Sequence, residues 1–230
     1  MDKKILAGSY GYLKALFWAV LFAFFVKASL AEAYRVPSSS MEDTLLIGDF
    51  VISNKVLYGG RIPFFGWRLP EIRHPRPGDI VTFKWPGDRK TDYVKRCVAV
   101  EGQVVEVRDK VLYVDGKAFP DPARAKYVAK GKPLDKNDRR DYFGPFRVPP
   151  ETIFAMGDNR DNSYDSRYWG PVPLDLVEGK VIAIQWSISP DDNAPKIDPA
   201  HFTSIPVTFW HSIANFMGRI RWDRTARSVS

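Results

Sequence analysis

Residues 15–26 read ALFWAVLFAFFV, an unbroken apolar run with Lys14 before it and Lys27 after it. Phe and Leu surround the whole circumference of a helix drawn through it, which argues against one face of a buried core helix. Such a helix needs lipid around it, so this run constrains the chain more than any other feature. Twelve helical residues span only about 18 Å, short of the roughly 30 Å hydrocarbon core. The wider window 11–31 is long enough at ~1.5 Å per residue, and its lysines sit near the ends, where their stems reach the headgroups. Two readings compete. One is a retained transmembrane anchor over 11–31 behind a short cytoplasmic N-terminus, 1–10. The other is a cleaved secretory signal, with Lys3 and Lys4 as its basic start and Ala31-Glu32-Ala33 as an A-x-A site. Either way the rest of the chain meets a membrane and is exported. Lys3, Lys4 and Lys14 against Asp2 place the N-terminus in the cytoplasm, a slight bias because Lys27 and Arg35 follow on the other side.

Past this segment the chain reads as strands. Residues 49–57 (DFVISNKVL) and 79–85 (DIVTFKW) are rich in β-branched and aromatic residues, with Gly or Pro on their flanks. Residues 92–107 (DYVKRCVAVEGQVVEV) continue the pattern with a bend at Glu101-Gly102. Residues 111–114 follow, and Asp115-Gly116 is a hairpin turn signal. Strand character returns at 152–156 and 180–188. Between them 118–145 is polar and basic, a surface excursion or small inserted subdomain. No long helical period occurs between 36 and 190, so the fold class is all-β, a barrel or stacked sheets behind one N-terminal transmembrane helix. The expected division is a β domain over 32–107 and 146–200, an inserted hairpin and polar subdomain at 108–145, and a tail at 201–230. In the tail, 207–217 (VTFWHSIANFM) predicts a short amphipathic helix with Trp210, Ile213 and Met217 on one side. Arg219, Arg221, Arg224 and Arg227 then make a solvated or lipid-facing basic end.

Composition narrows the partners. Lys and Arg number 34 against 27 Asp and Glu, a net charge of +7 that suits nucleic acid or an anionic membrane equally. The charge is spread out and the apolar segment sends the domain across a membrane, so no nucleic-acid partner is expected. The lone cysteine, Cys97, excludes a disulfide framework and a cysteine zinc module. His74, His201 and His211 lie far apart without HxH or HxxxH spacing. No metal and no other cofactor is expected.

Three stretches carry chemistry. The first is Val36-Pro37-Ser38-Ser39-Ser40-Met41-Glu42-Asp43-Thr44-Leu45, a serine triplet that alone reads as a turn. The second is Asp92-Tyr93-Val94-Lys95-Arg96. Alternation along a strand puts Tyr93, Lys95, Cys97 and Ala99 on one face and Val94, Arg96, Val98 and Val100 on the other. Both cations could snorkel from the sheet. If Lys95 is buried instead, burial disfavours the ammonium, and a neutral amine can take a serine proton without any histidine. The third, 157–170 (GDNRDNSYDSRYWG), is dense in side chains that bond their own backbone. It departs from a calcium loop, with Ser166 where a glycine should be and Val172 where a bidentate glutamate should be.

Together PSSSMEDTL, GDFVISNKVLYG, GDIVTFKWP, DYVKR and GDNRDNSYDSRYWGPV, in this order and followed by GKVIAIQWS, resemble the boxes of bacterial type I signal peptidases. These are membrane-anchored Ser-Lys proteases that cut signal peptides from exported preproteins, and the resemblance covers roughly 34–187. It implies Ser40 as nucleophile and Lys95 as general base. Ser163 would orient the lysine amine, and Asp165 and Arg167 would form a supporting ion pair. The Ser40 N–H and the Ser38 hydroxyl would make the oxyanion hole. Val36, Pro37, Met41, Leu45, Tyr93 and Val94 would line pockets for small −1 and −3 residues of a substrate bound as an added strand. It also implies that the anchor is retained and single-pass, in a bacterial plasma membrane, with the catalytic domain on the extracytoplasmic side. Signal peptides and the phospholipid bilayer are then the partners, and the chain is a monomer. Asp43 stands where the family usually has proline, a change expected to loosen the loop. Cys97 reads as packing rather than as a nucleophile. The apolar stretch Pro63-Phe64-Phe65-Gly66-Trp67 is expected to dip into the bilayer interface. A relative with a single dedicated substrate, or a non-enzymatic anchored β-domain, would also fit parts of this pattern.

Overall fold

The computed structural model describes residues 3–60, 67–121, 135, 137–191, 193–195 and 204–229. Helix α1 (Lys3–Leu30) runs directly into strand β1 (Ala31–Arg35). Leu16, Phe17, Trp18, Val20, Leu21 and Phe22 are all exposed along α1. Among the described residues no helix is long and apolar enough to cross a membrane.

The body is mostly β, as the strand patterns predict. One eight-stranded antiparallel sheet takes β1, β2 (Asp49–Asn54), β11 (Val177–Ser187), β3 (Ile80–Lys84), β4 (Asp92–Val100), β9 (Thr152–Met156) and β10 (Val172–Pro173) in that spatial order, with β12 (Arg227–Ser228) also on β11. A second sheet orders β7 (Lys117–Ala118), β6 (Val111–Val114), β5 (Val104–Arg108) and β8 (Phe143–Arg147). The β6–β7 turn is Asp115-Gly116, both at positive φ, which fits a two-residue hairpin. Half of the polar stretch at 118–145, and Pro63-Phe64-Phe65-Gly66 of the apolar loop, lie outside the described residues, while Trp67 is exposed.

Period-2 alternation explains the core. On β9, Ile153 and Ala155 pack with Val81, Phe83 and Cys97, whereas Phe154 and Met156 pack with Val105, Val107 and Leu112 of the second sheet. On β4 the register shifts between Cys97 and Ala99. Cys97 stays in the first cluster, and Val98 and Ala99 both enter the second. Strict alternation therefore fails at this bulge, and Ala99 does not share a face with Cys97 as the pattern predicts. A third cluster joins Tyr34, Val36, Met41 and Leu45 to Val51, Ile80, Val181 and Ile184 on β2, β3 and β11. It seats the serine stretch on the sheet.

Ala31-Glu32-Ala33 pairs with Asn54, Ser53 and Ile52 of β2, so the A-x-A tripeptide is held in a ladder. One expectation changes. The arginine end is not a uniformly solvated surface. Arg224 is buried, with its Nη2 donating to Thr44 O (3.0 Å) and to Asp49 Oδ2 (2.6 Å). Arg221 Nη2 donates to Ile47 O at 2.7 Å, and Arg219 Nη1 to Asp191 Oδ2 at 3.2 Å.

Candidate active site

Ser40 lies in a single 3-10 turn, Ser39–Met41, that follows the extended residue Ser38. The turn is short because Met41 and Leu45 are drawn into the third core cluster, and Leu45 N donates back to Met41 O at 2.7 Å. Asp43 has φ 73, a left-handed conformation that aspartate tolerates and proline, fixed near −65°, cannot adopt. The departure from proline thus matches the loop's backbone here instead of loosening it.

The 157–170 loop, which ends in the one-turn helix α2 (Ser166–Trp169), fastens this turn from the other side. Asn159 N donates to Ser40 O at 3.0 Å, and Asn159 Nδ2 to Ser39 O and Glu42 Oε2, each at 3.1 Å. Asn162 Nδ2 donates to Ser39 Oγ at 3.0 Å. Gly157 allows the approach: a Cβ there would lie 2.4 Å from Ser40 O and 2.3 Å from Ser163 Oγ. The loop is itself held by two buried ion pairs. Arg167 Nε and Nη2 donate to the two Asp165 oxygens at 2.9 and 2.8 Å. Arg96 Nε and Nη2 donate to the two Asp158 oxygens at 2.8 Å each, and Thr44 Oγ1 donates to Asp158 Oδ2 at 2.7 Å. Burial would push the Asp165 carboxyl up, but the Arg167 charge and hydrogen bonds outweigh it and hold the carboxyl below its usual range.

Lys95 Nζ is hydrogen-bonded to Ser40 Oγ at 2.5 Å, and the lysine is only 4% exposed. Among the described residues no carboxylate lies within ion-pair distance of it. Burial pulls its amine down to about 8; the Asp165 charge opposes this, Arg167 adds to it, and Asp158 opposes it again. Ser38 Oγ lies 3.3 Å from Ser40 Oγ. A cavity of 360 Å³ opens beside the pair, lined by 34–41 and by Thr91, Asp92, Tyr93, Val94 and Lys95, with Asn162 and Tyr164 at its rim. Strand β3 pairs with β4 over Asp92–Arg96, whereas β9 pairs only from Arg96 onward. Among the described residues one backbone edge of 92–95 is therefore left without a neighbouring strand. The arrangement can deprotonate a hydroxyl, hold an extended chain on that edge and admit small side chains.

Val36, Pro37, Met41, Tyr93 and Val94 reach the cavity. Leu45 does not line it; it is fully buried in the core, where the pull of the third cluster outweighs its nearness in sequence. Ser163 is brought to the site, but its buried hydroxyl makes no hydrogen bond to the lysine amine; it acts on the Asp165 carboxylate instead. In the sequence, Arg96, Asp158, Thr44, Asn159 and Gly157 show only as members of boxes or, for Arg96, as a snorkelling cation. The signal for Arg96 is its place beside Lys95, since a cation on a buried strand needs a carboxylate. Cys97 is buried behind the strand with its thiol pushed up by burial, and takes no part. Among the described residues no cluster of His, Cys, Asp and Glu could hold a metal.

The chain matches the family described as signal peptidase, peptidase S26, over residues 9–186. It is 32% identical to a signal peptidase I of Pseudomonas fluorescens over 81% of this chain and 75% of that protein. It is 32% identical to the signal peptidase I of Pseudomonas aeruginosa over 83% of this chain and 76% of that one. A crystal structure of a signal peptidase I from Enterococcus faecalis is 33% identical, with a TM-score of 0.37, covering 48% of this chain and 98% of that one. A buried Ser-Lys pair, and sequence likeness across most of the chain, lead to one assignment: this chain belongs to the signal peptidase family, peptidase S26.

Proposed function

We propose that the chain is a serine endopeptidase that removes N-terminal signal peptides from exported preproteins, with Ser40 and Lys95 as its dyad. The observation that carries this is the Lys95 amine, buried and 2.5 Å from the Ser40 hydroxyl. In the neutral amine the bond runs from Oγ–H to Nζ. The hydroxyl proton passes to Nζ as Oγ attacks the scissile carbonyl carbon. The new oxyanion takes hydrogen bonds from the Ser40 N–H and the Ser38 hydroxyl. The tetrahedral species collapses, the C–N bond breaks, and the ammonium returns its proton to the leaving amine. Water, deprotonated by the same amine, then hydrolyses the ester. Ser163 orients the amine once its hydroxyl turns from the Asp165 carboxylate to Nζ during turnover, and Asp165 with Arg167 keeps its loop in shape. Val36, Pro37, Met41, Tyr93 and Val94 select small −1 and −3 side chains, and the free edge of 92–95 receives the substrate backbone. With the amine at about 8 in the free protein, kcat/KM rises about tenfold per pH unit below that value and levels off above it.

The same reading places α1 as a single-pass anchor in a bacterial plasma membrane, with the β body of a monomer outside the cytoplasm. What supports it is that the described apolar side chains of α1 project all round the helix and are exposed; over its described residues α1 is not apolar enough to meet the usual measure of a membrane span. The division of the body into 32–107 with 146–200, an insertion at 108–145 and a tail at 201–230 belongs to this proposal as well. Ser40→Ala and Lys95→Ala, each assayed in membranes on a preprotein, should lose essentially all cleavage. Wild-type rates in both variants would end this reading.

A further inference from the structure

Helix α3 (Ser204–Arg219) is amphipathic in the reverse sense to a helix that packs on a core. At about 100° per residue, Ile205, Phe209, Trp210, Ile213, Phe216 and Met217 share an arc of about 140°, and every one is exposed. The opposite arc is polar and is fixed to the protein. Thr208 Oγ1 donates to Pro195 O at 3.0 Å, His211 Nε2 lies 3.1 Å from Asp191 Oδ2, and Arg219 Nε and Nη2 donate to Ser189 O at 3.1 and 2.9 Å. The helix cannot roll its apolar side inward without breaking these bonds. The patch continues past the helix through Trp222 and Trp186, both exposed, and the Phe216 ring meets Trp186 edge-on at 6.5 Å.

We propose that the outward face of α3 lies in the headgroup region of an anionic bilayer, as a contact separate from α1. This rests on the membrane-anchored reading above. Lipid is the occupant the chemistry favours. Tryptophans and phenylalanines set beside the exposed Arg227, with Asp223 the one acid among 204–229, match the interface between acyl chains and anionic headgroups, while Arg219 and Arg221 are held by protein acceptors and anchor the helix from behind. The chain as a whole carries +7. The contact would also set the height of the nucleophile. Residues just after α3 reach the Ser40 loop, with Arg221 donating to Ile47 O and Arg224 to Thr44 O. A bilayer under α3 then fixes how far Ser40 stands from the point where a preprotein leaves the membrane.

The test uses the full chain in vesicles of phosphatidylcholine and phosphatidylglycerol, with spin labels at Phe209→Cys, Ile213→Cys and Met217→Cys, one at a time. Cys97 is fully buried and stays unlabelled. Leu16→Cys in α1 and Val111→Cys in the second sheet serve as references. Expected is higher accessibility to oxygen than to a nickel chelate at 209, 213 and 217, and the reverse at 111. In agreement, Phe209→Ser with Ile213→Ser should slow cleavage of a bilayer-inserted preprotein and leave cleavage of a detergent-dissolved peptide unchanged. Water-like values at the α3 positions with a lipid-like Leu16→Cys overturn this inference alone; a water-like Leu16→Cys overturns the anchor reading first. Dipolar broadening at 209 and 213 that vanishes on dilution with unlabelled protein would assign the face to a second copy and overturn the lipid contact.

Discussion

Lys95 and Arg96 are neighbours on β4, both buried, and point to opposite sides of the strand. On one side the cation meets a hydroxyl and no carboxylate among the described residues, and its amine falls to about 8. On the other the cation meets Asp158 through two parallel hydrogen bonds of 2.8 Å, with Thr44 tying the same carboxylate to the nucleophile loop. The two regions are equally dry. What separates a base from a brace is the partner: an unpaired buried amine sheds its proton, whereas a fork-shaped guanidinium with a carboxylate becomes a fixed joint. Chemistry is thus confined to one side of the strand and the loop that serves it is bolted to the other.

The largest expected effect comes from making the two sides alike. Lys95→Arg keeps a cation beside Ser40, but a guanidinium does not give up its proton in a protein. Cleavage should fall on the order of 10³-fold or more, as expected for loss of a general base with the hydroxyl left in place. Single-turnover rates on a preprotein are the measurement. A variant that keeps even a tenth of the wild-type rate would mean that some other group takes the proton.

Breaking the brace should cost somewhat less and should show in stability. Asp158→Asn leaves the buried Arg96 without its counter-charge, a loss of about 3–5 kcal/mol, read from urea unfolding. Adding Arg96→Met removes the stranded charge and should recover most of that loss, though not the cleavage rate, because Thr44 and the Ser40 loop stay loose. A single-variant loss near 1 kcal/mol, typical of exposed pairs, would mean that the pair holds nothing rigid.

Much of this layout is legible in the sequence, for reasons that can be named. β6 and β9 appear with the predicted bounds because turn residues bracket short runs with a buried face. The helix predicted at 207–217 is present within α3. Ser40 and Lys95 can be found because each sits in a short box of its own. What stays hidden depends on contacts distant in the chain. Nothing local to Arg224 shows that it will bury itself against Asp49, 175 residues away. Nothing local to Gly157 shows that the Ser40 carbonyl needs its missing side chain. Leu45 sits in a substrate-facing box, yet its own size draws it into the core. The bulge between Cys97 and Ala99 defeats simple alternation, since one inserted residue swaps every later position between faces.

The smallest effect sharpens the comparison, because it measures the lysine side without using activity. A lysine whose amine is pulled to about 8 in the folded chain and titrates near 10.4 when unfolded binds its proton more tightly in the unfolded state. Stability therefore rises with pH between about 8 and 10.4. Below that window the folded protein carries the full cost of a buried charge, about 3 kcal/mol; above it both states are neutral and the cost is gone. Lys95→Met replaces the amine with an apolar side chain of similar length. Its stability relative to wild type should be higher at pH 7 than at pH 11 by about 3 kcal/mol. The difference between the two pH values cancels any change in packing and any titration common to both proteins. The same pair of measurements on Arg96→Met should show no such gain, because that guanidinium carries its charge in both states throughout this range. A pH-independent difference for Lys95→Met would mean that the amine keeps its ordinary proton affinity in the fold, and the contrast between the two sides of β4 would then lie in geometry alone.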